Sequence, residues 1–220
     1  MNRAVCYTMS RALYRKAGPT IRSLLAHNTI DRIYLLIEDD EFPMQLPECA
    51  YLINTSGQPY FRPGGPNWAT RWTHMVLMRA ALSKFLPEEE RVLSLDVDTI
   101  IRGDIGALWD MDLTGKYMAG VREPLKSQIY GRLYVNYGVA LLNLEALRDG
   151  MDDRIIEALN TRRFDFPEQD CVNELCAGRI MELPGMYNAT PYTTPTDTVL
   201  IKHYAANPAW WNEEEVQAWR

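Results

Sequence analysis

Two aspartates one residue apart, Asp96 and Asp98, close an apolar run in Arg91-Val-Leu-Ser-Leu-Asp96-Val-Asp98-Thr-Ile-Ile-Arg-Gly-Asp104. If the run is a strand, alternate residues face one side, so both carboxylates project together at its carboxyl edge, where open α/β sheets hold their ligands. Like charges this close are costly without a cation between them, and hard oxygen ligands suit Mn²⁺ or Mg²⁺. For an Asp-x-Asp taken alone, a solvated acidic turn is the plain alternative. Two further residues weigh against it. His203 ends the run Thr198-Val-Leu-Ile-Lys-His203 at the mouth of another expected strand. There an imidazole can serve as a third ligand for Mn²⁺ and leave positions open for phosphate oxygens. Arg79 stands three or four residues from Met75, Val76, Leu82 and Ser83 in a helical pattern, which puts a guanidinium on a largely apolar face. An arginine so placed needs an anion, either a carboxylate in a structural ion pair or a phosphate.

Short apolar runs alternating with helical patterns must position these residues, and that alternation predicts an α/β protein with one central sheet. Strands are expected over Ala4–Tyr7, Arg32–Ile37, Ala50–Ile53, Arg91–Val97, Tyr117–Val121, Val135–Leu144, Ile180–Leu183 and Val199–His203. Helices are expected over Pro19–Ala26, Ala69–Phe85, Arg154–Asn160, Glu168–Ala177 and Glu213–Trp219, with Pro19 suited to a first turn and Gly178 to a helix end. Two irregular stretches, Gly57–Asn67 and Gly185–Asp197, are expected to frame the site.

The chain has 220 residues, enough for one sizeable core, and no internal repeat or linker demands a second. A net charge of -6 without a basic block argues against nonspecific nucleic-acid binding through a basic surface. Four cysteines without a Cys-x-x-Cys pair suggest neither zinc nor a disulfide framework. The chain runs from Met-Asn-Arg almost directly into Ala4–Tyr7, with no apolar leader and no transmembrane-length apolar run, so a cytoplasmic protein is expected. Asn188-Ala-Thr190 matches a glycosylation acceptor, which matters only in a secreted protein.

Four blocks, in order, resemble glycosyltransferase family 8, a group with the GT-A fold. The first is Arg79, Leu86-Pro87 and the Asp96-Val-Asp98 run through Trp109; the second is Tyr134-Val-Asn136-Tyr-Gly138-Val. The third is Pro167-Glu168-Gln169-Asp170-Cys-Val-Asn173 with Leu183-Pro184 and Tyr187-Asn188; the last is Ile201-Lys202-His203-Tyr204 with Trp210-Trp211. The resemblance implies a single GT-A-like domain with a mixed, mostly parallel sheet flanked by helices. A nucleotide-sugar half would cover about 1–110 and an acceptor half about 111–220. It also implies that Asp96, Asp98 and His203 hold Mn²⁺, with Mg²⁺ as the alternative, against the diphosphate of a UDP-sugar. Arg79 is then placed near the sugar-phosphate end. Glu123, Asn136 and Gln169 would line the donor sugar, Gln169 on the acceptor side, and Val97, Gly138, Glu168 and Asp170 join the donor-binding set. Thr8 and Tyr14 are the nominees for the uridine end, where a tyrosine stacks on the base.

The chain departs from the family at three places. The closing motif His-x-x-Gly-x-x-Lys-Pro-Trp reads His203-Tyr-Ala-Ala206-Asn-Pro-Ala209-Trp-Trp here, without the glycine and the diphosphate lysine. Glu168 replaces the first Asp of Asp-Gln-Asp, and no acidic residue follows the first strand around Met9-Ser10-Arg11. The expected activity is retaining, metal-dependent transfer of a hexose, glucose or galactose, from a UDP-sugar to a hydroxyl acceptor on a glycan or protein. Catalysis is assigned to Gln169 and Arg79. Two rivals are a nucleotide-sugar-binding protein without catalysis and a haloacid-dehalogenase-like phosphohydrolase, in which Asp152-Asp153 would mimic a later acidic motif.

Overall fold

Neighbouring residues of the first strand are buried in opposite cores. In β1 (Ala4–Thr8), Val5 and Tyr7 join one apolar cluster and Ala4 and Cys6 the other. A strand covered on both faces has to be apolar throughout rather than alternating, which accounts for the unbroken Ala-Val-Cys-Tyr run. In this computed structural model, which describes residues 2–220, the same division recurs in β4 (Arg91–Leu95) and β7 (Val135–Asn143). Leu93, Leu95, Val139 and Leu141 face one core, and Val92, Ala140 and Leu142 the other.

With β2 (Arg32–Ile37), β3 (Ala50–Asn54), β6 (Met118–Arg122) and β8 (Ile180–Leu183), these strands form a seven-stranded sheet in the order β3-β2-β1-β4-β7-β6-β8. Four neighbouring pairs are parallel; only β7 runs antiparallel, to both β4 and β6. Helix α1 (Ala17–His27) covers one face through Ile21 and Leu24. Helices α2 (Met75–Ala80), α6 (Met151–Thr161) and α7 (Pro167–Leu175) cover the other. This is the mixed, mostly parallel α/β arrangement expected from the sequence. A separate antiparallel ribbon, β5 (Thr99–Ile101) with β9 (Ile201–His203), stands at the end of β4.

The differences from expectation have local causes. The strand expected to reach Val97 stops at Leu95, and Asp96–Asp98 form the turn into β5. The long helix expected over Ala69–Phe85 begins only at Met75 and is split at Ala81 into α2 and α3 (Leu82–Phe85). Before it, Thr73 has φ +66, and the hydroxyls of Thr70 and Thr73 accept from the N–H groups of Trp72 and Met75 at 3.3 Å. Threonine hydroxyls that capture nearby backbone donors compete with the helical ladder. Of the helix expected over Glu213–Trp219, Glu214–Gln217 forms as α8. Two further short helices, α4 (Pro124–Tyr130) and α5 (Leu144–Leu147), and strand β5 were not anticipated. The signal for α4 was present: Pro124 opens it, and Gly131 closes it at φ +62, in the left-handed region that favours glycine. Among the described residues, no helix is long and apolar enough to cross a membrane.

Candidate active site

A turn and a ribbon, rather than one strand edge, bring the three expected ligands together. The Asp96 N–H donates to the Gly138 carbonyl at 2.7 Å, and the Thr99 hydroxyl donates to the Asp96 carbonyl at 2.8 Å. The β5–β9 register sets His203 opposite Thr99, and the Tyr204 N–H closes on the Asp98 carbonyl at 2.9 Å. His203 Nε2 then lies 3.5 Å from Asp96 Oδ2 and 3.3 Å from Asp98 Oδ1. One ligand atom from each residue falls within 4.8 Å of the others. Two carboxylate oxygens and an imidazole nitrogen at this spacing fit a divalent cation with open positions. Burial would lower the His203 pKa, but the Asp98 and Asp96 carboxylates push it up to about 10. Burial would raise Asp96, while Arg79 and His203 hold it well below the usual carboxylate range. In the metal-free protein the two carboxylates thus face the His203 imidazole, and Asp96 also meets the Arg79 guanidinium.

Gly138 on β7 makes room for this cluster. Its backbone is not left-handed, so conformational freedom is not the reason for a glycine. A Cβ there would press against His203 Cε1 and come within 2.5 Å of Asp96 Oδ2.

Arg79 projects from α2 into the same region and is buried, at 6% exposure. Its guanidinium bridges Asp96 and the buried Glu168 of α7 and lies 4.9 Å from the Tyr137 ring centroid. The structural ion pair and the site residue are one and the same here, because one of its partners is a candidate metal ligand. Burial pushes the Glu168 pKa up in spite of Arg79.

On the other side of β7, Asn136 and Gln169 both reach Glu123. Asn136 Nδ2 donates to Glu123 Oε1 at 2.7 Å; Gln169 Nε2 reaches the same oxygen at 3.4 Å and the Tyr134 hydroxyl at 3.0 Å. Gln169 Oε1 accepts from the Tyr137 N–H at 2.9 Å, and Asp170 accepts from the Tyr134 hydroxyl. Asn173, which sequence reasoning gave no role, pins α7 to β7 through both the N–H and the carbonyl of Val135.

Other nominees lie differently. Tyr14 is buried: its ring packs 5.2 Å from Phe42, and its hydroxyl donates to Asp39 and accepts from the Glu38 N–H. A ring covered in this way, with its hydroxyl bonded to Asp39 and Glu38, supports the exit of β2. Thr8, at the end of β1, has a buried hydroxyl with no hydrogen-bond partner among the described residues. The Val97 side chain belongs to the apolar core, so only its backbone faces the turn. Asp152 is buried against the Ser83 hydroxyl at 2.8 Å and Lys84 at 3.0 Å, so it is committed to holding α6 on α3.

The sequence pattern of Glycosyl transferase family 8 matches residues 51–210. The chain belongs to this family. Among its relatives, the lipopolysaccharide 1,2-glucosyltransferase of Escherichia coli is 28% identical over 152 residues, covering 56% of this chain and 45% of that protein. Glycosyltransferase GlyE of Streptococcus pneumoniae is 26% identical over 97% of this chain and 58% of its own length. The chain thus spans about half the length of these curated relatives. In fold it is similar to the galactosyltransferase LgtC, solved with donor and acceptor sugar analogs. The TM-score is 0.73 at 18% identity, over 98% of this chain and 91% of LgtC. The GlyE structure gives a TM-score of 0.72 at 22% identity, over all of this chain and 59% of that one.

Family membership sharpens the meaning of Ala206, which stands where the family motif has glycine. Ala206 still has φ +58, so the turn keeps the conformation a glycine would adopt and the Cβ bears the strain. Ala206→Gly is expected to stabilise the protein by about 1 kcal/mol, a rise in Tm of roughly 2–4 °C in a thermal melt. The Cβ in Gly138→Ala forces the His203 ring and the Asp96 carboxylate to move, while the backbone itself suits alanine. The variant should weaken divalent-metal affinity by about 10- to 100-fold in a calorimetric titration; unchanged affinity would show that the close approach at Gly138 does not matter.

Proposed function

We propose that this protein is a retaining, metal-dependent hexosyltransferase that moves glucose or galactose from a UDP-sugar to a hydroxyl on a glycan or protein. The observation that carries this reading is the convergence of Asp96, Asp98 and His203 on one side of the bare Gly138 backbone. Glu123, Asn136 and Gln169 lie next to it along β7. The names of the relatives, a glucosyltransferase and a galactosyltransferase among them, support a hexose donor. In this proposal about residues 1–110 supply the nucleotide side and the metal turn. About 111–220 supply the sugar pocket, the acceptor side and His203. A cytoplasmic setting belongs to the same reading, supported by four free thiols.

When bound, Mn²⁺, or Mg²⁺ on the same donors, supplies Lewis-acid stabilisation of the departing diphosphate. Arg79 holds Asp96 in place and adds positive charge to the side where negative charge develops. Glu123 and Asn136 present polar atoms to the donor sugar. Gln169 sits at the acceptor side, and an amide is a poor nucleophile, which favours attack from the face that the diphosphate leaves, with a phosphate oxygen taking the acceptor's proton. Glu168 is already held by Arg79, and Asp170 by Tyr134, so neither carboxylate is free to act as a nucleophile without losing a partner. One observation favours a second reading, a silent nucleotide-sugar binder: Ala209 stands where the family has its diphosphate lysine.

UDP release from UDP-glucose, UDP-galactose and their N-acetyl forms, with and without Mn²⁺, separates the two readings; tight binding with no release supports the silent binder. Asp98→Asn is expected to cut Mn²⁺-dependent turnover on the order of 100-fold or more while leaving the fold intact, since charge is lost and volume is kept. An unaltered Mn²⁺ titration in that variant would refute the metal assignment. For Gln169→Ala, UDP-sugar affinity should stay within about threefold while kcat falls by about 10²- to 10³-fold. Equal losses in both would place Gln169 in ground-state binding instead.

A further inference from the structure

Asn188 is fully buried, and although it falls in the third family block it has been given no role at the site. The stretch Ala189–His203 brings it to the site. Ala189 bridges to Lys202, its N–H donates to the Ile201 carbonyl at 2.9 Å, and its carbonyl accepts from the His203 N–H at 3.1 Å. Among the described residues, the Asn188 side chain makes hydrogen bonds to two groups. Its Oδ1 lies 3.0 Å from His203 Nδ1, and its Nδ2 donates to Asn136 Oδ1 at 2.9 Å. The Thr193 hydroxyl, 3.0 Å from the Asn188 carbonyl, holds the backbone. Asn188, Asn136, Glu123 and His203 are all at most 6% exposed, so water does not compete for these bonds. The same burial argues against the Asn188-Ala-Thr190 glycosylation reading in the folded protein, because the amide is inaccessible.

The polarity of this chain of bonds is set at one end by a group that cannot change its role. The Gly138 backbone N–H can only donate, and it donates to Asn136 Oδ1 at 3.1 Å. Asn136 therefore turns its amide nitrogen to Glu123 Oε1, 2.7 Å away, and its oxygen to Asn188. Asn188 must then offer nitrogen to Asn136 and oxygen to His203. An oxygen facing Nδ1 requires a proton on Nδ1, and in the neutral imidazole that leaves the lone pair on Nε2. Nε2 is the nitrogen facing Asp96 and Asp98.

We propose that Asn188 is a positioning residue: it transmits the fixed polarity of the Gly138 N–H and Asn136 to His203, holding the imidazole in the one tautomer and ring orientation that present Nε2 to a metal. This rests on the reading of Asp96, Asp98 and His203 as the metal site. The arrangement also joins the proposed sugar pocket to the metal cluster through side chains alone, since Asn136 contacts Glu123 on one side and Asn188 on the other, and Asn188 contacts His203. Outer partners of ligating histidines typically change metal affinity by about 10- to 100-fold when removed.

The test compares Asn188→Asp with Asn188→Leu, and with Asn188→Ala should the leucine variant not fold. Asp keeps an oxygen for His203 Nδ1 but loses the donor to Asn136, whereas Leu and Ala lose both. Mn²⁺ affinity by calorimetry should stay within about fivefold of the parent in Asn188→Asp and fall by about 10- to 100-fold in the others, whatever the order of their melting temperatures. Affinity that simply follows melting temperature across the series overturns the proposal, because it indicates a structural role only. In the metal-free protein with ¹⁵N-labelled histidine, the His203 Nδ1–H should exchange slowly with water in the parent and in Asn188→Asp, and rapidly in Asn188→Ala. Slow exchange in Asn188→Ala also overturns it. If the parent shows the protected Nδ1–H but binds no divalent metal, the metal-site reading fails, and with it the metal role given to Asn188.

Discussion

The backbone of β7 at Gly138 is the constraint on which the site depends. The β4–β7 register pairs Leu95 with Val139, so the next residue, Asp96, meets Gly138, and the ladder continues one bond past the strand through the Asp96 N–H. That bond turns the chain out of the sheet. The missing side chain at 138 is what lets His203 and the Asp96 carboxylate approach the strand. The N–H of the same residue orients Asn136. One residue thus places a turn through its carbonyl, sets the direction of an amide through its N–H, and admits a ligand cluster through a close approach that only glycine allows here.

Around that point the polar side chains close nearly into a ring. Glu168 holds Arg79, Arg79 holds Asp96, Asp96 faces His203, and His203 connects through Asn188 and Asn136 to Glu123 and Gln169, which adjoins Glu168 in sequence. Burying charge in this way is expensive, and a buried ion pair often stabilises less than apolar residues of the same size. The Arg79 Nε has no hydrogen-bond partner among the described residues, which adds to that cost. Pre-organised polar groups of this kind have a use in a site where charge changes during a reaction, since they need not reorient when it does. The cores on both faces of the sheet supply the stability that such a ring draws on.

Much of the site was legible because its chemistry is local in sequence. Asp96 and Asp98 are one residue apart at the end of an apolar run, His203 ends another, and these positions identify themselves whatever turn follows. The sheet was legible for a related reason: strands buried on both faces are nearly continuous apolar runs, and most expected strands match within a residue or two. The helix expected over Ala69–Phe85 was not, because threonine hydroxyls at 70 and 73 take backbone donors that the apolar period alone does not reveal.

By itself, the sequence determined an α/β protein of glycosyltransferase family 8, its candidate ligand types being written in residue identity and order; tertiary structure decided what each group is bonded to. That Arg79 would meet Asp96 and Glu168 together, that Tyr14 would be enclosed by Phe42 and Asp39, and that Asn188 would face His203 depend on contacts between residues as many as 89 apart. Hydrophobic period reports which face of an element is covered, but not which polar group waits there. Hydrogen bonds and ion pairs are decided within fractions of an ångström by register and crossing of the elements, and those are set by the packing of the whole chain.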